Sequence, residues 1–259
     1  MWRASTAHTE VVTKLLRTLR LGRKSLAHIT ITPSGLRVQT ASPSRVFNGQ
    51  LFLESSLFAT YECDGELSAT LSVAALVNCL QMFAEWAPAE EHAGCFFEYI
   101  EGAKFQLSFA HDTMTSVCDL RLLALESSLT EIAFDAERVQ LQVIMPAGAC
   151  LNVLRDLEAV GAEEVEFATA GDALEVRATG DLARTEFVLP NEPGVLDALV
   201  ADGAVRQRFA FEHVAKAMDA VRLAKKVSLR FDGAALSVQC LCEVGDLSAY
   251  IEFRVLANL

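Results

Sequence analysis

A turn followed by an alternating strand occurs four times along this chain, each time at a similar distance beyond a segment with helical periodicity. A fourfold pattern of this kind indicates an internal repeat. The four turn-and-strand segments are Ser34–Gln39, Gly102–Leu107, Gly171–Val176 and Asp232–Val238. The segments with apolar residues at helical spacing are His8–Leu21, Ser72–Ala84, Ala149–Val160 and Glu212–Ala224. Because the strands come in runs separated by tight turns, parallel winding is disfavoured, and we expect two similar α+β domains, each with antiparallel sheet covering two helices.

The chain midpoint separates the two halves of this pattern. Leu123–Gly148 begins at the end of one apolar run, crosses a polar, acidic segment and ends in a new strand pattern. We therefore predict an N-terminal domain over residues 1–123, a connecting loop over 124–137 and a C-terminal domain over 138–259.

The composition predicts the setting in which the chain works. A net charge of −12 and a pI near 4.9 argue against non-specific nucleic-acid binding unless cations are gathered locally. The seven cysteines are odd in number and form no CxxC pair, which is typical of buried thiols in a reducing compartment. No apolar run reaches the roughly 18 residues of a membrane span, so we expect a soluble intracellular protein.

Several segments resemble a known family. The run Val143–Gly148, followed by Leu154–Leu157 and by Gly161 with its hairpin to Gly180–Leu182, is similar to the start of the second domain of eukaryotic sliding clamps. The type member of that superfamily is proliferating cell nuclear antigen. Other segments are similar to the Rad-one subunit family of the DNA-damage checkpoint clamp, namely Ser34–Gln39, Phe52–Phe58, Leu71–Leu80, Lys226–Arg230 and Leu236–Gln239.

This resemblance implies a non-catalytic subunit of a ring that a clamp loader places around double-stranded DNA, without sequence specificity, in the nucleus. The implied partners are two paralogous subunits, of the Rad-nine and Hus-one types, and the repair and checkpoint proteins that the ring scaffolds. No cofactor, metal or membrane is implied. Subunits of such rings join through edge strands, and the residues that match them here are Cys118, Leu120, Leu122, Thr185, Phe187 and Leu189.

The ring hypothesis predicts cations on helix faces that point away from the core. The first and last predicted helices and the residues just beyond them supply such cations: Lys14, Arg17, Arg20, Lys216, Arg222 and Lys225. The alternative is an ordinary solvated helix face. The second and third predicted helices do not support the pattern, because one outer face is neutral and the other mixed. Contacts of this type would reach phosphates rather than bases.

Three apolar residues, Leu129, Ile132 and Phe134, interrupt the polar connecting loop. They either fasten a crossing segment onto the sheets or border a groove that receives partner peptides with apolar anchors.

Enzymatic functions find little support in the sequence. It contains no GxxxxGK, HExxH or GxSxG motif and no Cys/His cluster with metal-ligand spacing, so we predict no catalytic residue and no metal site. Two alternatives remain, a homotrimeric replication clamp and a metal-dependent DNA exonuclease. The second would require several acidic residues to converge on one site.

Overall fold

The computed structural model describes residues 1–22, 25–86, 94–111, 114–124, 131–180, 183–244 and 247–258. The chain divides into two compact units. Unit 1 comprises Met1–Ala41 and Gln50–Thr130, and unit 2 comprises Ser42–Gly49 and Glu131–Leu259. The short segment Ser42–Gly49 belongs to unit 2 because its side chains pack there, as Phe47 does by stacking on Phe253 with ring centroids 5.5 Å apart.

Among its described residues, unit 1 contains two α-helices and nine strands. Its helices are α1 (Thr9–Arg17) and α2 (Val73–Trp86). Its strands form two sets, in each of which neighbouring strands are hydrogen-bonded to each other. Their orders are β5-β1-β7-β8-β9 and β4-β3-β2-β6. The strands are β1 (Trp2–Thr6), β2 (Leu26–Thr32), β3 (Gly35–Ala41), β4 (Phe47–Glu54), β5 (Thr60–Cys63), β6 (Leu67–Ser72), β7 (Cys95–Ile100), β8 (Lys104–His111) and β9 (Met114–Leu120).

Unit 2 has the same plan. Its strand orders are β13-β12-β11-β15 and β14-β10-β16-β17-β18. The helices are α3 (Ala147–Ala159), α4 (Phe211–Val214) and α5 (Met218–Leu223). The strands are β10 (Leu141–Pro146), β11 (Ala162–Thr169), β12 (Ala173–Gly180), β13 (Arg184–Pro190), β14 (Ala198–Ala201), β15 (Arg206–Ala210), β16 (Ala224–Phe231), β17 (Ala235–Val244) and β18 (Leu247–Leu256).

The predicted α+β class with antiparallel pairing is confirmed, and so is the fourfold pattern of hairpins. Each of the four predicted turns contains a glycine with positive φ, at positions 35, 102, 171 and 233. Gly35 shows why a glycine is needed. A Cβ at this position would collide with the carbonyl oxygen of Leu53, and the backbone φ of 151° is one that other residues rarely adopt. The domain boundaries 1–123, 124–137 and 138–259 remain a prediction.

Two helices differ from the sequence prediction. The first was expected to reach Leu21 but ends at Arg17, because the amides of residues 18–20 turn back to carbonyls only three residues earlier. The last was expected to be continuous, yet a 3₁₀ turn over Ala215–Ala217 separates α4 from α5. Both of its pieces still bury the predicted side chains Val214, Met218 and Val221.

Three strands were missed, β1, β6 and β14. Strand β1 reads as a polar segment in the sequence, but Trp2 on it is fully buried against Phe97 and Phe105. Its pairing partners, β5 and β7, lie about 60 and 95 residues away in sequence, so no local pattern could reveal it. No helix in the part of the chain that the structure describes is long and apolar enough to cross a membrane.

Candidate nucleic-acid and subunit interfaces

The cations predicted on the first helix lie on its solvent face. Val12, Leu15 and Leu16 are buried, whereas Lys14 and Arg17 are exposed. The Nζ atom of Lys14 lies 2.7 Å from a carboxylate oxygen of Glu10, one turn earlier. An exposed helix pair of this kind contributes only about 0.3–0.5 kcal/mol, so a phosphate can compete for the ammonium group.

Arg17 and Arg20 complete this group at the end of the helix. Arg20 follows the helix in the turn that ends it, and its amide bonds to the carbonyl of Arg17 at 3.0 Å. Both side chains are exposed, and neither has an ion-pair partner among the residues that the structure describes. They are therefore available to an external anion.

The cations of the C-terminal region are arranged less uniformly. Lys216 is exposed on the 3₁₀ turn between α4 and α5. Arg222 on α5 donates to Asp219 at 2.7 Å. Lys225 lies on β16 rather than on the helix, and its Nζ is 3.0 Å from Glu243 Oε2. Only Lys216 of these three thus has no ion-pair partner within the described residues.

The other two helices carry little positive charge, as the sequence indicated. On α2 the exposed side chains up to residue 83 are Asn78 and Met82. On α3 the single cation, Arg155, lies beside Asp156 and Glu158. Among the described helices, the cations are therefore concentrated on α1.

The two predicted edge strands do lie at sheet edges. Strand β9 pairs with β8, and β13 pairs with β12; neither has a second neighbour among the described strands. Free edges of this kind are open to another strand.

Side chains on β9 divide between two faces. Leu120 is buried, and Cys118 is half-buried. Val117 and Asp119 point outward and are exposed. Leu122 lies beyond the end of the strand. The residues that a joining strand would meet on the outer face are therefore Val117 and Asp119, which the sequence analysis did not single out.

Strand β13 shows the same alternation. Thr185, Phe187 and Leu189 are half-buried. Arg184, Glu186 and Val188 lie between them and are exposed, Val188 by 58%. Val188 therefore places an exposed apolar side chain at the free edge of β13.

The connecting loop is described from residue 131 onward, and Leu129 lies outside the described residues. Ile132 is buried, and its carbonyl accepts a hydrogen bond from Arg254 at 3.0 Å. Phe134 is half-exposed, and the guanidinium carbon of Arg230 lies 5.3 Å from its ring centroid. Ile132 therefore fastens the loop to unit 2, whereas part of the Phe134 ring remains accessible.

A buried carboxylate supports the arginine that holds this loop. Glu252 is 4% exposed and accepts hydrogen bonds from Ser237 at 2.6 Å and from Arg254 at 3.0 Å. Burial disfavours its charge, but the hydrogen bonds from Arg254 and Ser237 outweigh burial and hold the pKa below its ordinary value. The sequence carries one signal for this pair, an alternating Glu-x-Arg on the last strand.

A second carboxylate, Glu166, organises the outer face of the β13-β12-β11-β15 sheet. It is buried between Arg177 and Arg208, whose nearest nitrogens lie 3.3 and 2.7 Å from its oxygens. Burial opposes its ionisation, yet hydrogen bonds from these arginines lower its pKa. The groove at this face has a volume of about 590 Å³ and is lined by Glu164, Glu166, Arg177, Ala178, Thr179, Arg184, Thr185, Glu186 and Arg208.

No group of three or more His, Cys, Asp or Glu side chains in the described chain is placed to hold a metal ion. The cysteines are free thiols, and burial raises the pKa of Cys95 and Cys150 to about 12, which makes them unreactive as nucleophiles. Acidic residues instead form pairs with cations across the sheet faces.

Two comparisons relate this architecture to known proteins. Residues 1–242 match the family described as repair protein Rad1/Rec1/Rad17. The fold is similar to a chain in the crystal structure of a PCNA2–PCNA3 complex from Sulfolobus tokodaii, with a TM-score of 0.81 at 15% identity, and the match covers 99% of each chain. At this low identity the structural similarity establishes the fold alone, which is that of a sliding clamp with two similar domains.

Proposed function

The chain belongs to the repair protein Rad1/Rec1/Rad17 family and is a subunit of a DNA-damage checkpoint clamp, and from this premise we propose that it forms one third of a ring around double-stranded DNA. The other two subunits are paralogues of the Rad-nine and Hus-one types. A clamp loader opens the ring onto DNA in the nucleus, and the closed ring scaffolds checkpoint and repair proteins.

The observation that carries this proposal is that β9 of unit 1 and β13 of unit 2 are both edge strands of their sheets. Strands β9 and β13 each present an open row of backbone groups beside an exposed valine, Val117 or Val188. Such an edge promotes aggregation unless a partner strand covers it. With β9 joined to one neighbour and β13 to another, the subunit could take its place in a ring.

The cations of α1 supply the proposed contact with DNA. Lys14, Arg17 and Arg20 lie on or just beyond one helix face, and phosphates require no particular base sequence. Lys216, Arg222 and Lys225 contribute from unit 2, where the last two must exchange a carboxylate for a phosphate. The net charge of −12 then lies mainly on surfaces that face away from DNA.

We infer that the role is non-catalytic. Sliding clamps of this fold are generally non-catalytic, and no group of three or more His, Cys, Asp or Glu among the described residues is placed to hold a metal ion. The connecting loop provides a candidate binding place for partner peptides at the accessible part of Phe134, next to the buried Ile132.

Retention on circular DNA tests the proposal. The assembled ring should remain on closed circular DNA after loading and should be lost when the circle is linearised. In the double variant Lys14→Glu/Arg17→Glu the ring should still form but leave circular DNA at lower salt. The slope of log retention against log salt should fall by roughly 1.8, because each lost phosphate contact removes about 0.9.

Arg37→Glu is the matched control, because Arg37 is an exposed cation on β3 of the same unit. It should retain DNA as the wild type does. Equal retention on circular and linear DNA would contradict encirclement, whereas equal behaviour of the double variant and the control would remove α1 from the DNA surface.

A further inference from the structure

Side chains of alternating charge run across the outer face of the β13-β12-β11-β15 sheet. Cross-strand partners on β15, β11, β12 and β13 form one row, here named the unit 2 charge row: Arg208, Glu166, Arg177 and Glu186. Arg208 Nε lies 2.7 Å from Glu166, and Arg177 Nε lies 2.9 Å from Glu186. The row ends at the free edge with Glu186, whose side chain is 50% exposed.

Unit 1 has a corresponding row that also ends in a carboxylate. The unit 1 charge row crosses β1, β7, β8 and β9 through Arg3, Glu98, Gln106 and Asp119. Arg3 Nε donates to Glu98 at 2.9 Å, and Gln106 Nε2 donates to Asp119 at 2.7 Å. Asp119 is exposed at the free edge of β9. At each of these two free edges, the polar row therefore ends with an acidic side chain.

A strand added at either edge would place a side chain directly opposite the terminal carboxylate, with Cβ atoms about 4.5–5.5 Å apart. Opposite charges at such positions stabilise pairing, and like charges destabilise it. We propose that the partner strand at each edge carries an arginine or lysine opposite Glu186 or Asp119, so that these two acidic residues select the neighbouring subunits. This inference rests on the proposed ring assembly.

The neighbouring exposed residues extend the pattern that a partner must have. On β13, Arg184 and Val188 flank Glu186 on the same face. An antiparallel partner strand is therefore expected to read apolar-x-basic-x-acidic from its N-terminus. On β9, Val117 precedes Asp119 on the exposed face, so the partner strand there is expected to read basic-x-apolar.

A ring of identical copies of this chain does not meet these requirements, because it would pair β9 of one copy with β13 of the next. If β9 paired with β13 so that Val117 met Val188, the same register would place Asp119 against Glu186. A shift by two residues brings Arg184 opposite Asp119, but it also sets Glu186 against Val117. A shift the other way gives Asp119 an apolar partner, Val188. In each register, at least one of the two carboxylates has no cation opposite it. This disfavours a homotrimer and favours paralogues whose edge strands carry different side chains.

Charge reversal at the two edges tests the proposal in the full chain, co-expressed with its two paralogues. Glu186→Lys should weaken binding to one paralogue and Asp119→Lys should weaken binding to the other. Each effect should be roughly two- to thirtyfold in Kd, because an attractive cross-strand pair becomes a repulsive one. Glu186→Gln and Asp119→Asn should give smaller losses that shrink at high salt, as exposed pairs are screened.

Glu163→Lys is the matched control, since Glu163 is an exposed carboxylate on β11, which is already paired on both sides. It should leave both affinities unchanged. Thermal unfolding of each variant separates a folding defect from an edge effect, and the neutral variants keep the test decisive if a lysine variant does not fold.

The outcomes separate this inference from the proposed function. Failure of the wild-type chain to bind either paralogue would overturn ring assembly itself. Wild-type binding with unchanged affinities in all four variants, or losses toward the same paralogue from both edges, would overturn the charge selection while leaving the ring intact.

Discussion

At the scale of single residues, two buried carboxylates, Glu166 and Glu252, hold much of the organisation of unit 2. Each is an ionised group kept in place by arginine, which is a costly arrangement unless its hydrogen bonds are complete. Glu252 positions Arg254, and Arg254 in turn holds the carbonyl of Ile132. The sequence does not distinguish these two glutamates from solvent-exposed ones, because the alternation of apolar and polar residues along their strands predicts that both face solvent.

The depressed pKa of Glu252 predicts a specific pH dependence. A carboxyl whose pKa is lower when folded than when unfolded contributes stability above its unfolded pKa, and loses that contribution as the pH falls through the folded value. At neutral pH, Glu252→Gln should lower the free energy of unfolding by about 1–3 kcal/mol. The difference from wild type should shrink below about pH 4.

Denaturant unfolding from pH 7 to pH 3 measures this difference. Glu243→Gln serves as the control, because Glu243 makes an exposed pair with Lys225 and should change stability by no more than about 0.5 kcal/mol. If the difference in unfolding free energy between Glu252→Gln and wild type stays constant with pH, the charge of Glu252 is not what stabilises the site.

At the scale of elements, the connecting loop combines an anchor and an accessible ring. Ile132→Ala removes a buried side chain and should lower the unfolding free energy by about 2–4 kcal/mol. Phe134→Ala should cost only about 0.5–1.5 kcal/mol, because the ring is half-exposed and its contact with Arg230 is a single cation–π interaction.

Hydrogen exchange gives a local check on the same pair of variants. The amide of Asp135 bonds to Asp232 Oδ2 at 2.8 Å, so it reports whether the loop is held down. Its exchange should accelerate in Ile132→Ala more than in Phe134→Ala. The reverse order would mean that Phe134, rather than Ile132, fastens the loop.

Elements with their own periodicity were predictable from the sequence, and elements defined by distant pairing were not. The buried stripe of α1 and the four hairpin glycines follow from local spacing and turn chemistry. Strand β1 depends on β5 and β7, and the charge rows depend on register across four strands, which no local pattern encodes. The same limit applies to Val117 and Asp119, whose outward direction depends on which face of β9 packs on α2.

At the scale of the whole molecule, the central claim is that this chain completes a ring only with partners. The fold and the family identify a clamp subunit. The carboxylates Asp119 and Glu186 disfavour the pairing of β9 with β13 that a ring of identical chains would need. The acidic net charge also disfavours self-association at low ionic strength.

Mass measurement in solution tests this claim most directly. The purified chain alone, and then mixed with its two paralogues, is analysed by light scattering at micromolar concentration. We expect no stable trimer of the chain alone and, in the mixture, a complex with one copy of each of the three proteins. A stable homotrimer of the chain alone would show that it needs no paralogue to close a ring.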